Sequence, residues 1–91
     1  MKILAVCGMG LGSGLLLRMQ AEKAVKRLGI DAEVEVADIG SARGGAQGAD
    51  VVVTSAELAQ QLGDIGVPVV VVTNFVDLDE MVTKLGAAVG T

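Results

Sequence analysis

Strand-like and helix-like segments alternate along the whole 91-residue chain, and this alternation predicts an α/β sandwich built on a four-stranded parallel sheet. Two observations carry the expectation. Short apolar runs rich in β-branched residues, "KILAV" (2–6), "ADVVVT" (49–54) and "VPVVVV" (67–72), read as strands covered on both faces. Each is followed by a polar-and-apolar stretch of helical character, so neighbouring strands must run parallel, joined by right-handed crossovers. With 52% hydrophobic residues, the chain has material for one compact core, and a single domain over residues 1–91 is expected.

The elements follow in order. After the first strand, "SGLLLRMQAEKAVKRLG" places Leu17, Ala21, Ala24, Val25 and Leu28 on one helical stripe, starting near Ser13 and stopped by Gly29. Its outer face carries Leu15, Met19, Glu22 and Lys26. "AEVEVA" (32–37) alternates apolar and acidic residues, as a strand at a sheet edge with one wetter face would. "DIGSARGGAQG" (38–48) holds four glycines and little periodicity, yet must cross to the third strand; one poor helical turn around Ser41–Gln47 is expected, in the most mobile part of the fold. "SAELAQQLG" reads as a short helix from Ser55 with Glu57 in its first turn. "DLDEMVTKLGAAV" reads as another, with Asp77 as cap and Glu80 three residues on. For four such strands the simplest doubly wound order is 2-1-3-4, a small flavodoxin-like, or Rossmann-like, sandwich.

Composition excludes several functions. Seven basic against eleven acidic residues, with no histidine, give a net charge of −4 and no sustained basic surface for nucleic-acid phosphates. Phe75 is the one aromatic residue, so base-stacking platforms are missing. One cysteine makes no internal disulfide, and without histidine neither the usual zinc sites nor a catalytic triad can be assembled. No apolar run approaches the roughly 18 residues of a membrane span and no secretory leader is recognisable, so a cytoplasmic protein without direct membrane insertion is expected.

The chemistry is concentrated in "LAVCGMGLGSGLLLRM" (4–19), where that cysteine, Cys7, ends the first strand ahead of four glycines. In a doubly wound sheet the loop after the first strand borders the ligand crevice at the carboxyl ends of the strands. The amides of "GMGLG" (8–12) can wrap into a concave nest, and the helix that follows adds unpaired N–H groups and the positive end of its dipole. Such a loop holds a dianion, and its field favours thiolate over thiol. The glycines alone are not diagnostic: "GMGLGS" does not fit G-x-G-x-x-G, and no Walker lysine follows. A cysteine can also be a small core residue, and Ser13 a simple N-cap. Cysteine, nest and helix start together point to reversible phosphorylation of sulfur, a reaction that needs positioning and charge stabilisation and neither metal nor cofactor.

On these residues the sequence resembles the IIB subunits of the bacterial phosphoenolpyruvate-dependent sugar phosphotransferase system, in particular the ascorbate and galactitol type. "ILAVCGMGLGSGLLLRM" is similar to that family's first strand, phosphocysteine loop and first helix, and "GADVVVTSAELA" to its third strand and following turn. The resemblance implies that Cys7 takes a phosphoryl group from a phosphohistidine on the IIA subunit and gives it to a sugar held by the membrane-embedded IIC subunit. It also implies that Gly8, Met9, Gly10, Leu11, Gly12 and Ser13 form the phosphate loop. Gly14 departs from the second serine often found in ascorbate-type relatives.

The alternative is a low-molecular-weight cysteine-dependent phosphatase, whose signature has an arginine where this chain has Ser13. A phosphatase also needs an acid near the loop. The nearest in sequence, Glu22 and Asp38, are expected on an outer helix face and beyond the edge strand. Arg18 and Arg43 are weak candidates for a phosphate clamp, because neither is fixed by pattern. Thr54, Ser55 and Asn74 should approach the crevice as turn and cap residues. A redox module would show a second, resolving cysteine, and there is none. Leu15 and Met19, with Met9 and Leu11 at the loop, suggest a docking patch for a protein partner, which Phe75 would extend if it lay outside the core.

Overall fold

A computed structural model describes residues 1–8 and 11–90, with residues 11–14 described by their backbone alone. Its elements run β1 (Lys2–Cys7), α1 (Leu11–Leu28), β2 (Glu33–Asp38), α2 (Ala42–Ala46), β3 (Val51–Thr54), α3 (Ala56–Leu62), β4 (Val69–Val71) and α4 (Leu78–Val89). The strands form one parallel sheet in the order β2-β1-β3-β4, as the alternation predicts.

The two strands with continuous apolar sequence take the centre. β1 and β3 are buried on both faces, whereas β2, with its acidic alternation, is one edge and the short β4 the other. Side-chain alternation sorts the core into two layers. Ile3, Ala5, Val51 and Val53 face α1 and α4, where Leu17, Ala21, Ala24, Met81 and Leu85 close over them. Leu4, Val6 and Val52 face the other way, against Ala42, Ala46 and Leu62 of α2 and α3. Phe75 packs, half-buried, against the first layer, so it belongs to the core and does not extend a surface patch.

Two element boundaries differ from the sequence reading, and the glycine-rich crossover agrees with its expected helical turn around Ser41–Gln47. α1 opens at Leu11, two residues before the expected start near Ser13, so Ser13 lies inside the first turn and not at the N-cap position. β2 runs on to Asp38, which pairs in register with Cys7. The glycine-rich crossover forms a five-residue helix, α2, with Ala42 and Ala46 fully buried. One of its glycines packs closely on the sheet: a Cβ at Gly45 would stand 3.3 Å from the Leu4 side chain, a contact tight enough that the leucine would have to shift. Gly29 ends α1 with φ of 72°, the left-handed conformation that other residues adopt at a penalty.

Both capping expectations hold. The Ser55 hydroxyl accepts from the Leu58 N–H at the start of α3, and the Asp77 carboxylate accepts from the Glu80 N–H at the start of α4. Met81, fully buried between α4 and the sheet, tests the packing of the α1/α4 layer. Met81→Ala should lower unfolding free energy by about 2–5 kcal/mol, read from the urea midpoint, because the rigid strands beneath cannot fill the space.

Candidate functional site

Parallel strands bring all their carboxyl ends to one edge, and β1 leaves that edge at its middle. β1 delivers Cys7 there as its last residue, and α1 begins at Leu11 after a three-residue connection. Gly8 opens that connection, half-buried, with open space where a Cβ would stand. Met9 and Gly10 lie outside the described residues. Leu11, Gly12 and Ser13 occupy the first helical turn. Backbone N–H groups of a first turn have no partner within the helix, and here they lie one short connection from the sulfur. Of the phosphate-loop residues implied by the family resemblance, Gly8 therefore follows the strand and Leu11, Gly12 and Ser13 belong to the helix end.

Cys7 shares the α1/α4 face of β1 with Ile3 and Ala5 by alternation, and is 7% exposed. Its Sγ lies 3.9 Å from the carbonyl oxygen of Ala37, a weak thiol contact across to β2. The next residue of β2, Asp38, is the register partner of Cys7. An acid thus stands beside the cysteine, contrary to the expectation that Asp38 falls beyond the edge strand. The apolar–acidic alternation that marks β2 in the sequence ends at Ala37, one residue before the strand does. The Asp38 carboxylate Oδ1 accepts from the Ser41 N–H at 2.8 Å and the Ser41 hydroxyl at 2.9 Å. These bonds, the backbone one first, hold Asp38 below the ordinary carboxylate value. Glu22 does sit on the exposed outer face of α1, paired with Arg18 at 3.2 Å.

The remaining candidates are engaged elsewhere. Thr54 is fully buried and donates its hydroxyl to the Val6 carbonyl at 2.9 Å, tying β3 to β1 just below Cys7. Ser55 caps α3, and the Asn74 side chain accepts from the Val76 N–H at 3.1 Å. Arg43 donates to the Gln61 carbonyl in the last turn of α3, on the sheet face opposite the Cys7 side chain. It borders an open cleft of about 350 Å³ with Gln47, Leu62, Gly63, Asp64 and Ile65. Leu15 and Met19 are 60% and 52% exposed, one helical turn apart on the outer face of α1, as their spacing predicts. Met9 lies outside the described residues, as does the Leu11 side chain.

Sequence reasoning missed the organiser of the β4–α4 loop. The Glu80 N–H meets the Asp77 cap as the spacing predicts, and the Glu80 carboxylate in addition reaches back to the Thr73 N–H at 2.9 Å, the Thr73 hydroxyl at 2.7 Å and the Asn74 N–H at 2.9 Å. Lys84 closes the cluster at 2.6 Å from Glu80 while donating to the Val71 carbonyl at 2.8 Å. The Glu80-to-Lys84 spacing on a helix was the available signal.

The fold and site define a doubly wound α/β protein with a cysteine at its switch point. Residues 2–86 match the family described as the lactose/cellobiose-specific IIB subunit of the PTS, and the chain belongs to this family of phosphotransferase components. The ascorbate-specific PTS system EIIB component of Mycoplasma pneumoniae is 32% identical over 80 residues, covering 87% of this chain and 84% of that protein. The protein of the same description from Shigella sonnei is 33% identical over 61 residues, covering 67% of this chain and 60% of its own length. Among solved structures, the cellobiose-specific IIB component of Borrelia burgdorferi superposes with a TM-score of 0.62 at 25% identity, covering 99% of this chain and 89% of that one. The lactose-specific IIB domain of Streptococcus pneumoniae shares the fold, with a TM-score of 0.61 at 13% identity over 99% of this chain and 95% of its own. No helix among the described residues is long and apolar enough to cross a membrane.

The Glu80 cluster sets a pH dependence. Lys84 first, then the Thr73 and Asn74 donors, pull its carboxyl from the ordinary 4.5 down to about 2. A lowered folded-state value means that the cluster stabilises the fold fully above pH 4.5 and loses this as pH falls towards about 2. Urea midpoints by circular dichroism should place wild type above Glu80→Gln at neutral pH and bring the two together across that acidic window.

Proposed function

We propose that this chain is a cytoplasmic phosphoryl carrier in which Cys7 accepts phosphate from a phosphohistidine of a IIA subunit and passes it to a sugar or sugar-like substrate held by a IIC membrane subunit. The observation that carries this reading is the placement of the lone cysteine at the carboxyl end of a central strand, one three-residue connection from the first turn of α1. The names of the similar M. pneumoniae and S. sonnei proteins favour an ascorbate-like substrate.

In the first transfer the sulfur attacks phosphorus as the N–P bond of the phosphohistidine breaks; the imidazole keeps the bonding electrons and the thiol's proton ends on it. The amides of Gly8 and of the first turn of α1 offset the negative charge of the phosphoryl oxygens, as preorganised donors do in other phosphoryl transfers. In the second transfer a substrate hydroxyl displaces the sulfur, and its proton is left with the thiol. Arg18 and Arg43 are not needed, since a helix N-terminus binds phosphate unaided.

Incubation with phosphoenolpyruvate, the general phosphotransferase components and a IIA subunit, followed by intact-mass measurement, should show a single added phosphate on wild type. Cys7→Ser should keep the fold and gain none; label elsewhere refutes the assignment. The phosphatase alternative draws on the position of Asp38 beside Cys7. It predicts rapid release of inorganic phosphate from isolated phosphoprotein, whereas a carrier holds its phosphate and returns it to dephosphorylated IIA.

Leu15 and Met19 form the proposed contact with IIA, because two exposed apolar residues on the helix that starts at the site are placed to meet an approaching partner. Replacing both with Ser should slow transfer from IIA about tenfold or more, as loss of interface anchors does, while the urea midpoint stays within error.

A further inference from the structure

We propose that the end of β2, through the Ala37 carbonyl and the Asp38 carboxylate, destabilises phospho-Cys7 and so sets how readily the phosphoryl group is handed on. This inference rests on the carrier reading and concerns the energy of its intermediate.

The argument starts from position. Cys7 and Asp38 are register partners on adjacent parallel strands, which lie about 4.8 Å apart. The sulfur contacts the Ala37 carbonyl, the group that precedes Asp38 in the chain. As a thiol, Cys7 can donate its S–H to that oxygen. Once the S–P bond forms, the hydrogen is gone, and the sulfur and its phosphoryl oxygens meet the carbonyl as acceptor against acceptor. The Asp38 carboxylate adds a like charge. It cannot swing far, because the two Ser41 donors hold the same oxygen, and those donors keep it ionised.

The site therefore has two walls of opposite sign. First-turn amides of α1 favour the phosphoryl dianion, and the end of β2 opposes it. The opposition suits a carrier, since an intermediate bound only by favourable charges would become a sink and pass nothing on. Glu22, the other acid considered near the loop, is paired with Arg18 on the outer face of α1 and does not share this position.

The test is the equilibrium between phospho-IIA and phospho-Cys7, read by intact mass at fixed total phosphate. Asp38→Asn keeps the shape and an acceptor for Ser41 but removes the charge. It should shift the equilibrium about five- to tenfold towards phospho-Cys7, the size expected for one charge beside a dianion in a wet setting. Asp38→Glu, which restores the charge, should return most of the shift. Ser41→Ala, which removes one hydrogen bond and leaves the charge, should leave the equilibrium near wild type. An equilibrium unchanged in Asp38→Asn overturns the proposal, as does a Ser41→Ala shift of equal size, which would assign the effect to loop geometry. If Asp38→Asn chiefly slows release of inorganic phosphate, Asp38 activates water, and this proposal fails. Wild type that takes no phosphate on Cys7 defeats the carrier reading itself, a result distinct from phosphorylated wild type with an indifferent Asp38.

Discussion

Three residues separate the last strand residue of β1 from the first helical residue of α1, and the site depends on that brevity. A longer connection would let the helix start drift from the sheet edge and from Cys7. Both elements that flank the short link are fixed. β1 is buried on both faces and bonded to strands on both sides, while Leu17, Ala21 and Ala24 fasten α1 onto the same layer of core that lies under Cys7. The packing that stabilises the domain thus also fixes where α1 starts relative to Cys7.

The same logic orders the rest of the carboxyl edge. Thr54 ties β3 to β1 through the Val6 carbonyl, one residue before the cysteine. Beyond it, Ser55 caps α3, and the Glu80 cluster gathers the β4–α4 loop with bonds to Thr73 and Asn74. These polar groups sit where strands stop and backbone donors need new partners. Their side chains satisfy local backbone before any ligand arrives, which explains why hydroxyl and amide residues around this crevice are mostly structural.

Much of this was legible in the sequence because the signals were periodic. The edge position of β2, the core stripe of α1 and the exposed Leu15 and Met19 follow from spacings of two or three to four residues, and the strand order from the alternation of strands and helices. Element ends were harder, since they depend on individual side chains. Asp38 carries no strand signal, yet pairing with Cys7 prolongs β2 through it. Helix α2 is faint in the sequence because glycines lower helix propensity, and what holds it is the burial of Ala42 and Ala46 against Leu4 and Val6, residues far apart in the chain. The long reach of Glu80 was hidden for the same reason: a capping pattern names two residues, and the backbone groups it recruits belong to the preceding strand end.

The edge strand β2 also shapes how the molecule meets copies of itself. A bare strand edge is a template on which another chain can add its own strand, the first step towards insoluble aggregates. Here that edge is six residues long, and Glu33, Glu35 and Asp38 stand along it, all exposed. A second copy docking edge to edge would bring its own carboxylates against them, and Lys2, which is close by, is already paired with Glu35. At the other side of the sheet β4 has three residues, too short to seed a ladder. The acidic alternation that marks β2 as an edge is therefore also a charge barrier to edge-to-edge pairing.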